Sequence, residues 1–150
     1  MTGFKQPLSV LVVIHTPALE VLLLERAAHP GFWQSVTGSR EDDEALLATA
    51  RREVAEETGI DTVRYPPVDW RITNTFEIFS EWRHRYAPGV TQNTEHVFGL
   101  EVPGPLKIKV APDEHRDWTW MPWREAAARC FSWSNRDAIL LLPQRLARGT

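Results

Sequence analysis

Three glutamates, Glu53, Glu56 and Glu57, stand close together in a segment without proline or glycine. On a helix that turns about 100° per residue, their side chains form one stripe beside an apolar face. That face comprises Leu46, Leu47, Ala50 and Val54. Like charges on neighbouring turns repel one another, so the stripe lowers stability unless a cation neutralises it. Because the three side chains offer only oxygen, the pattern predicts a divalent metal site for Mg²⁺, with Mn²⁺ as the alternative ion.

The alternative interpretation is a surface helix whose glutamates pair with Arg51 and Arg52. The spacing of the longer segment argues against it. Gly38 is followed by five residues and Glu44, and then by seven residues and the run Arg52-Glu53-Val54-Ala55-Glu56-Glu57-Thr58-Gly59-Ile60. This pattern resembles the long signature of the Nudix hydrolase family at every defined position. A match of this length is far more specific than a short glycine motif.

The Nudix resemblance implies an enzyme that hydrolyses a phosphoanhydride bond with divalent cations and water. It implies that Glu53, Glu56 and Glu57 are metal ligands. It also implies catalytic roles for Glu57 and Glu53, together with Arg52, which orients a glutamate through a charge-assisted hydrogen bond. The remaining signature positions are expected to be structural: a turn at Gly38, support of the loop and helix at Glu44, and the helix end at Gly59. The missing Cβ of Gly38 would also permit a close approach by a ligand.

The resemblance extends beyond the signature to the segments 33–38, 76–79, 83–90, 93–95 and 132–136. These are similar to the bacterial dihydroneopterin triphosphate diphosphatases, a subfamily that releases pyrophosphate from dihydroneopterin triphosphate in folate synthesis and also acts on dATP. The resemblance implies one more metal ligand, Glu114. It implies substrate contacts at Lys5, Arg26, Thr37, Phe76, Glu77, Ile78, Phe79 and Ser132.

The residues themselves leave several of these roles open. Lys5 and Arg26 can neutralise a triphosphate, but a basic residue at a strand end is as often simply exposed. Phe76 and Phe79 can stack on a ring, although aromatic residues in strands usually belong to the core, and only the resemblance favours stacking. Glu114 follows a proline in a predicted loop, where acidic residues are usually solvated. The five histidines share no metal-ligand spacing, and none is assigned to the metal.

Strands and helices must alternate to position these residues. Valine-rich and aromatic runs predict strands over Leu8–His15, Glu20–Arg26, 33–37, 68–79, 96–102, 107–110 and 117–121. Helices are predicted over 44–58, from Pro122 towards Cys130, and from a Ser134 cap to Pro143. This order predicts an α/β (α+β) fold, a Nudix-type α/β/α sandwich with a mixed sheet and the carboxylate-bearing loop and helix. Most of the seven tryptophans are expected in its core.

Length and composition exclude several other classes. A chain of 150 residues, 43% hydrophobic and 25% charged, predicts a single domain over residues 1–150. The sequence has neither an apolar run of about 20 residues nor a secretory signal, and its lone Cys130 suits a reducing compartment, so a cytoplasmic protein without membrane contact is expected. With a net charge of −3 and no basic cluster, the expected partner is a small phosphorylated molecule rather than a polymeric nucleic acid. Oligomeric state has no sequence signal.

Four functions compete on this basis. The leading hypothesis is an Mg²⁺-dependent diphosphatase acting on dihydroneopterin triphosphate. A housecleaning hydrolase of nucleoside triphosphates would use the same metal residues, so the signature cannot separate the two. A nucleotide-sensing module without turnover is disfavoured because Arg52, Glu53, Glu56 and Glu57 are all present. A purely structural protein would leave the clustered carboxylates unexplained.

Overall fold

The computed structural model describes residues 3–147, so the predicted domain bounds at residues 1 and 150 lie outside the described part. Its strands are β1 Leu8–His15, β2 Glu20–Arg26, β3 Trp33–Gln34, β4 Val36–Ser39, β5 Val68–Glu77, β6 Gln92–Glu101 and β7 His115–Pro122. Its helices are α1 Leu46–Thr58, α2 Trp123–Arg129, α3 Trp133–Leu140 and α4 Leu142–Ala147, with a 3-10 helix at Ser80–Arg85. The 3-10 helix has no counterpart among the predicted elements.

β1 lies inside a seven-stranded mixed sheet. It runs parallel to β6, from Leu8 opposite Thr94 to His15 opposite Glu101, and antiparallel to β4. β5 pairs with the other side of β6, while β2 pairs with β1, β3 and β7. A parallel pair requires a long crossover connection, and α1 lies in the connection between β1 and β6. The predicted mixed sheet is confirmed.

Alternation along β1 divides the core into two layers. Val10, Val12 and Ile14 pack in the layer that contains α1, whereas Leu11 and Val13 pack in the layer that contains α2, α3 and α4. Successive side chains of a strand point to opposite faces, so one apolar strand supplies both layers. Helices therefore cover both faces of the sheet, and the predicted sandwich is confirmed.

Three predicted strands differ from the observed ones only in their bounds: β5 ends at Glu77 instead of residue 79, β6 spans Gln92–Glu101 instead of 96–102, and β7 spans His115–Pro122 instead of 117–121. Two other predictions differ more. The strand predicted over 33–37 is interrupted at Ser35, whose N–H donates to Asn135 Oδ1 at 2.8 Å instead of to a neighbouring strand. The segment 107–110 is not a strand. The Lys109 N–H donates to the Thr58 carbonyl at the end of α1, at 3.1 Å, and Ile108 is buried in the core. Apolar residues in this segment thus mark packing against a helix rather than sheet pairing.

The end of α1 is confirmed and its beginning is corrected. Gly59 follows the helix with a φ of 75°, a left-handed conformation that favours glycine. The helix starts at Leu46, after the predicted residue 44. Glu44 lies in the preceding loop because its carboxylate accepts the Glu41 N–H at 2.9 Å and closes a turn there.

The C-terminal helices show a similar shift. α2 begins at Trp123, and Pro122 is its N-cap residue rather than part of its first turn as predicted. The cap of α3 is Ser132 rather than Ser134, because the Ser132 hydroxyl accepts the Asn135 N–H at 3.2 Å. α3 ends at Leu140, so the helical segment is interrupted just before Pro143, in keeping with the end or kink predicted at this proline. Pro143 itself lies in the first turn of α4, where its missing N–H is not needed.

Side-chain burial refines the predicted core. Leu47, expected on the apolar face of α1, is 42% exposed because it lies at the edge of that face. Trp70 is fully buried, and four other tryptophans pack partly buried against the core: Trp33, Trp118, Trp120 and Trp123. Within residues 3–147, no helix has both the length and the apolar character needed to cross a membrane.

Candidate active site and metal centre

Arg52 ties α1 to the loop that precedes it. Its Nε and Nη2 donate to the two carboxylate oxygens of Glu44, at 3.1 and 2.7 Å, and Nη2 also donates to the Ser39 carbonyl at 3.0 Å. Hydrogen bonding to Arg52 lowers the pKa of Glu44 to about 2, and the same contact raises the pKa of Arg52. Glu44 is therefore ionised at neutral pH and holds the loop against the helix.

Glu53 lies against the backbone of β4. Arg52 Nη1 donates to Glu53 Oε1 at 2.6 Å, which fixes the carboxylate. A Cβ at Gly38 would overlap the Glu53 carboxyl group. Gly38 is inside β4 and has no positive φ, so the turn expected at this position is wrong. Glycine is needed here because the carboxylate approaches the strand so closely.

Glu57 is the most deeply buried of the glutamates in α1, with 1% of its surface exposed. Neither of its carboxyl oxygens meets the geometry of a hydrogen bond. Burial, together with the neighbouring Glu53 carboxyl group, raises the pKa of Glu57 well above its ordinary value. An ionised carboxylate in this position is strongly destabilising unless a positive charge accompanies it.

Glu114 and His115 join Glu57 from the start of β7. One ligand atom from each of the three residues lies within 4.8 Å of the others, and His115 Nε2 is 3.8 Å from Glu57 Oε1. Burial lowers the pKa of His115 to about 4, with a further contribution from Arg26, so the imidazole is neutral at pH 7. The sequence assigns no histidine to the metal, and the structure places His115 beside two of the predicted ligands. His115 reaches the cluster through the fold, and histidine spacing along the chain cannot reveal such a contact.

This donor set fits a divalent cation. The buried oxygens of Glu57 lack the partners that a cation would supply, and Glu53 lies next to them. The exposed Glu114 adds an oxygen from the loop, whereas the Glu56 carboxylate lies 3.5 Å from Arg52 and is not part of the cluster of Glu57, Glu114 and His115. Carboxylates that outnumber a single imidazole suit Mg²⁺ or Mn²⁺ better than zinc.

A cleft of about 1120 Å³ is lined by Glu53, Glu56 and Glu114, while the buried Glu57 is not among its lining residues. Two of the predicted cationic residues line the same cleft. The Arg26 guanidinium lies 4.8 Å from the ring centre of Trp82. Lys5 lies in the cleft wall, where desolvation and the nearby Arg85 lower the pKa of its ammonium group. An anionic ligand would relieve the repulsion among these cations.

Aromatic rings line another part of the same cleft. Phe79 and Trp133 are each 45% exposed. Phe76 meets Trp133 edge-on with ring centres 6.2 Å apart, and Phe79 lies 5.0 Å from Trp82 and 6.3 Å from Phe131. The core position that residue type alone favours for Phe76 and Phe79 is wrong. Exposed rings in a cleft offer stacking surfaces to a flat ligand.

The four remaining substrate-contact candidates also line the cleft but differ in their surroundings. The Thr37 hydroxyl donates to a carbonyl of β1 at 2.9 Å, and the Ser132 hydroxyl caps α3. Ile78 is buried, whereas the exposed Glu77 carboxylate lies 3.6 Å from Arg83. The two hydroxyls thus already make structural hydrogen bonds.

Sequence reasoning assigned no role to several polar residues of the cleft. Gln34, Asn93 and Glu95 all line it and are buried. Asn93 and Glu95 lie on the same face of β6 as the core residue Val97. Two polar residues therefore occupy buried positions at which the alternation of the strand would predict apolar residues. That interruption of the alternation is the signal that could have identified them.

Residues 5–142 match the family model of the NUDIX domain, and the chain belongs to this family. Its similarity is more specific than the family alone. It is 48% identical, over 91% of both chains, to the dihydroneopterin triphosphate diphosphatase of Escherichia coli K12. It is 40% identical to the Haemophilus influenzae protein of the same name, over 93% of this chain and 89% of that protein. The solved structure of the E. coli dihydroneopterin triphosphate pyrophosphohydrolase gives a TM-score of 0.86 at 48% identity, covering 92% of this chain and 95% of that chain.

Proposed function

We propose that this protein is an Mg²⁺-dependent hydrolase that converts dihydroneopterin triphosphate to dihydroneopterin monophosphate and pyrophosphate. The reaction is a step of folate synthesis in the cytoplasm. The enzyme has lesser activity on dATP and other nucleoside triphosphates, and Mn²⁺ serves as the alternative ion to Mg²⁺. The observation that carries the proposal is one cleft lined both by Glu114 and His115, which lie next to the buried Glu57, and by exposed aromatic rings. The names of the similar enzymes support the choice of substrate.

The proposed metal ligands are Glu53, Glu56, Glu57 and Glu114. A divalent cation held there would offset phosphate charge and make water a stronger acid. Arg52 keeps Glu53 in place through their 2.6 Å hydrogen bond, and Glu44 keeps Arg52 in place in turn. This chain of contacts fixes the carboxylates before substrate arrives, so little reorganisation is needed during the reaction.

Lys5 and Arg26 bind the triphosphate in this proposal, because they are the predicted cationic contacts that line the same cleft as the carboxylates. Phe76 and Phe79 hold the fused ring by stacking, with Ile78 as an apolar floor. The exposed Phe79 ring also favours a second candidate, a housecleaning hydrolase of nucleoside triphosphates, since stacking alone accepts any flat base.

Steady-state pyrophosphate release separates these functions. We expect metal-dependent turnover, with a kcat/KM for dihydroneopterin triphosphate at least about tenfold above the values for dATP, dGTP and an oxidised guanine nucleotide. A tenfold preference for one of the nucleotides would instead support the housecleaning function. Binding of any of these compounds without turnover would support a sensing module.

A further inference from the structure

Glu95 and Asn93 are buried polar side chains of β6, each 5% exposed. Asn93 Nδ2 donates to the Ser9 hydroxyl at 2.8 Å, and the Ser134 hydroxyl hydrogen-bonds with the Glu95 carboxylate. Two acceptors nevertheless have no partner: Glu95 Oε1 and Asn93 Oδ1. Within the described part of the chain, Glu95 forms no salt bridge. Buried acceptors are almost always satisfied in a folded protein, so this pair is exceptional.

Both side chains line the cleft next to its aromatic rings. Phe76 lies directly opposite Asn93 in the pairing of β5 with β6. The first turn of α3 lies beside Glu95, and reciprocal hydrogen bonds of 2.8 and 2.9 Å between Ser35 and Asn135 fix that turn. The unpartnered acceptors are therefore held rigidly beside a surface on which a flat ring can stack.

A purely structural role does not account for this arrangement. Burial raises the pKa of Glu95 to about 7, because its carboxylate receives too few hydrogen bonds to offset the loss of water. Removing the carboxylate's charge would therefore favour the folded state. A ligand with adjacent N–H donors would instead satisfy the carboxylate, since two parallel N–H bonds are the strongest way to bind this group.

We propose that Glu95 and Asn93 select the fused ring of the substrate by its edge of N–H donors. The Glu95 carboxylate accepts the ring N–H and one hydrogen of the adjacent exocyclic amino group, and Asn93 Oδ1 accepts the other amino hydrogen. A pterin ring presents this pair of donors, and so does guanine. Adenine lacks the ring N–H at the corresponding edge. The pterin part of this inference rests on the proposed function, whereas the donor pattern can be tested with nucleotides alone.

The test compares Glu95→Gln with the parent enzyme on four triphosphates: dihydroneopterin triphosphate, dGTP, dITP and dATP. A glutamine amide has one acceptor oxygen where the carboxylate has two, so it cannot accept two parallel N–H bonds side by side. It can, however, both donate to and accept from an adenine ring. We expect the ratio of kcat/KM for dihydroneopterin triphosphate over dATP to fall at least about tenfold, and the dGTP to dATP ratio to fall likewise. The parent's preference for dGTP over dITP, which lacks the amino group, should narrow.

Two further variants complete the test: one is a control outside the cleft, and the other changes the second residue of the proposed site. Glu101→Gln removes an exposed carboxylate from the same strand outside the cleft and should leave all ratios unchanged. Asn93→Ala should lower the dGTP to dITP ratio, because only guanine carries the amino group from which Asn93 accepts a hydrogen bond, and it provides a second measurement if Glu95→Gln fails to fold. Unchanged ratios in both cleft variants, with dATP turnover intact, would overturn the inference. Should the parent enzyme fail on dihydroneopterin triphosphate while the nucleotide ratios still respond, the proposed function would fall and donor selection would stand.

Discussion

The cleft has a metal end, where Glu53 and Glu114 lie near the buried Glu57, and a ring end, where Phe79 and Trp133 are exposed. These two ends depart from ordinary protein surfaces in opposite ways. At the metal end, Glu57 is almost fully buried, and neither of its carboxyl oxygens meets the geometry of a hydrogen bond. At the ring end, Phe79 and Trp133 are apolar side chains left 45% exposed. The first departure is destabilising through desolvated charge, and the second through lost apolar burial. A cation would relieve the first and a flat ring the second, so one substrate with its metal can satisfy both ends.

The ends also differ in how the chain builds them. Glu53, Glu56 and Glu57 come from one helix, and Arg52 of the same helix fixes Glu53. The rings come from the end of β5, the 3-10 helix and the segment that leads into α3. Substitutions at the metal end should therefore affect every substrate alike. Those at the ring end should change the choice among substrates.

The largest effect is expected for Glu57→Gln. This variant tests whether the buried carboxylate lowers the stability of the fold while being required for turnover. Removing the charge should lower kcat/KM by roughly a thousandfold for every substrate, because metal binding weakens. The Tm in EDTA should rise or stay level, since an unpartnered buried charge is lost. Glu41→Gln, at an exposed carboxylate near Arg52, is the matched control. Near-normal turnover of Glu57→Gln at limiting Mg²⁺ would remove the metal assignment.

Gly38→Ala tests the same end without changing any charge. The added Cβ must displace the Glu53 carboxyl group, and we expect kcat/KM to fall by about a hundredfold, since a small misplacement of a catalytic group has effects of this size. Gly104→Ala is the control because a Cβ at that position contacts nothing within 4 Å. If both variants keep full activity, the close approach of Glu53 to β4 is not required.

The sequence could predict the metal end because its information is local. Helical periodicity places Glu57 on the buried face of α1, and the signature names its neighbours. His115 could not be found this way, since only the pairing of β7 with β2 brings it to α1. The exposure of Phe79 likewise depends on how separate segments meet. Residue type favoured a core position for it, and only the family resemblance corrected that preference.

The same distinction explains which elements were predicted well. β1 and β2 are uninterrupted apolar runs, and their bounds are those predicted. The break at Ser35 depends on a hydrogen bond to Asn135, a hundred positions further along the chain. The segment 107–110 has the composition of a strand but bonds to the end of α1. Amino-acid composition indicates that a segment is buried, but it does not indicate which part of the chain supplies its backbone hydrogen-bond partners.

Glu114→Ala should have a smaller effect than either change within the metal end. The loop carboxylate adds one oxygen to ligands that α1 already supplies, so we expect the Mg²⁺ concentration for half-maximal activity to rise about tenfold. Activity at saturating Mg²⁺ should be largely recovered. Asp113→Asn, at the preceding loop residue, is the control. An unchanged Mg²⁺ titration would show that Glu114 is an ordinary exposed residue.

Glu44→Gln tests the support beneath the metal end through pH. The pKa of Glu44 is lowered to about 2, so its contact with Arg52 stabilises the fold above about pH 4.5, and that stabilisation is lost as pH falls towards 2. Because water reaches part of the pair, we expect a loss of about 1 to 2 kcal/mol at pH 7. Chemical denaturation should show the two proteins converging near pH 2. A difference that is independent of pH would contradict this linkage.

Phe79→Ala and Arg26→Ala give the smallest effects and the most direct test of the comparison. Loss of the Phe79 ring should change the dihydroneopterin triphosphate to dATP ratio of kcat/KM by about fivefold, because stacking strength differs between fused rings. Arg26→Ala should instead lower kcat/KM for all triphosphates by a similar factor, since a phosphate contact does not depend on the attached base. Lys5→Ala should behave like Arg26→Ala. If Arg26→Ala alters the ratio as strongly as Phe79→Ala, the cleft has no separate ends, because the guanidinium that stacks on Trp82 would then take part in binding the ring.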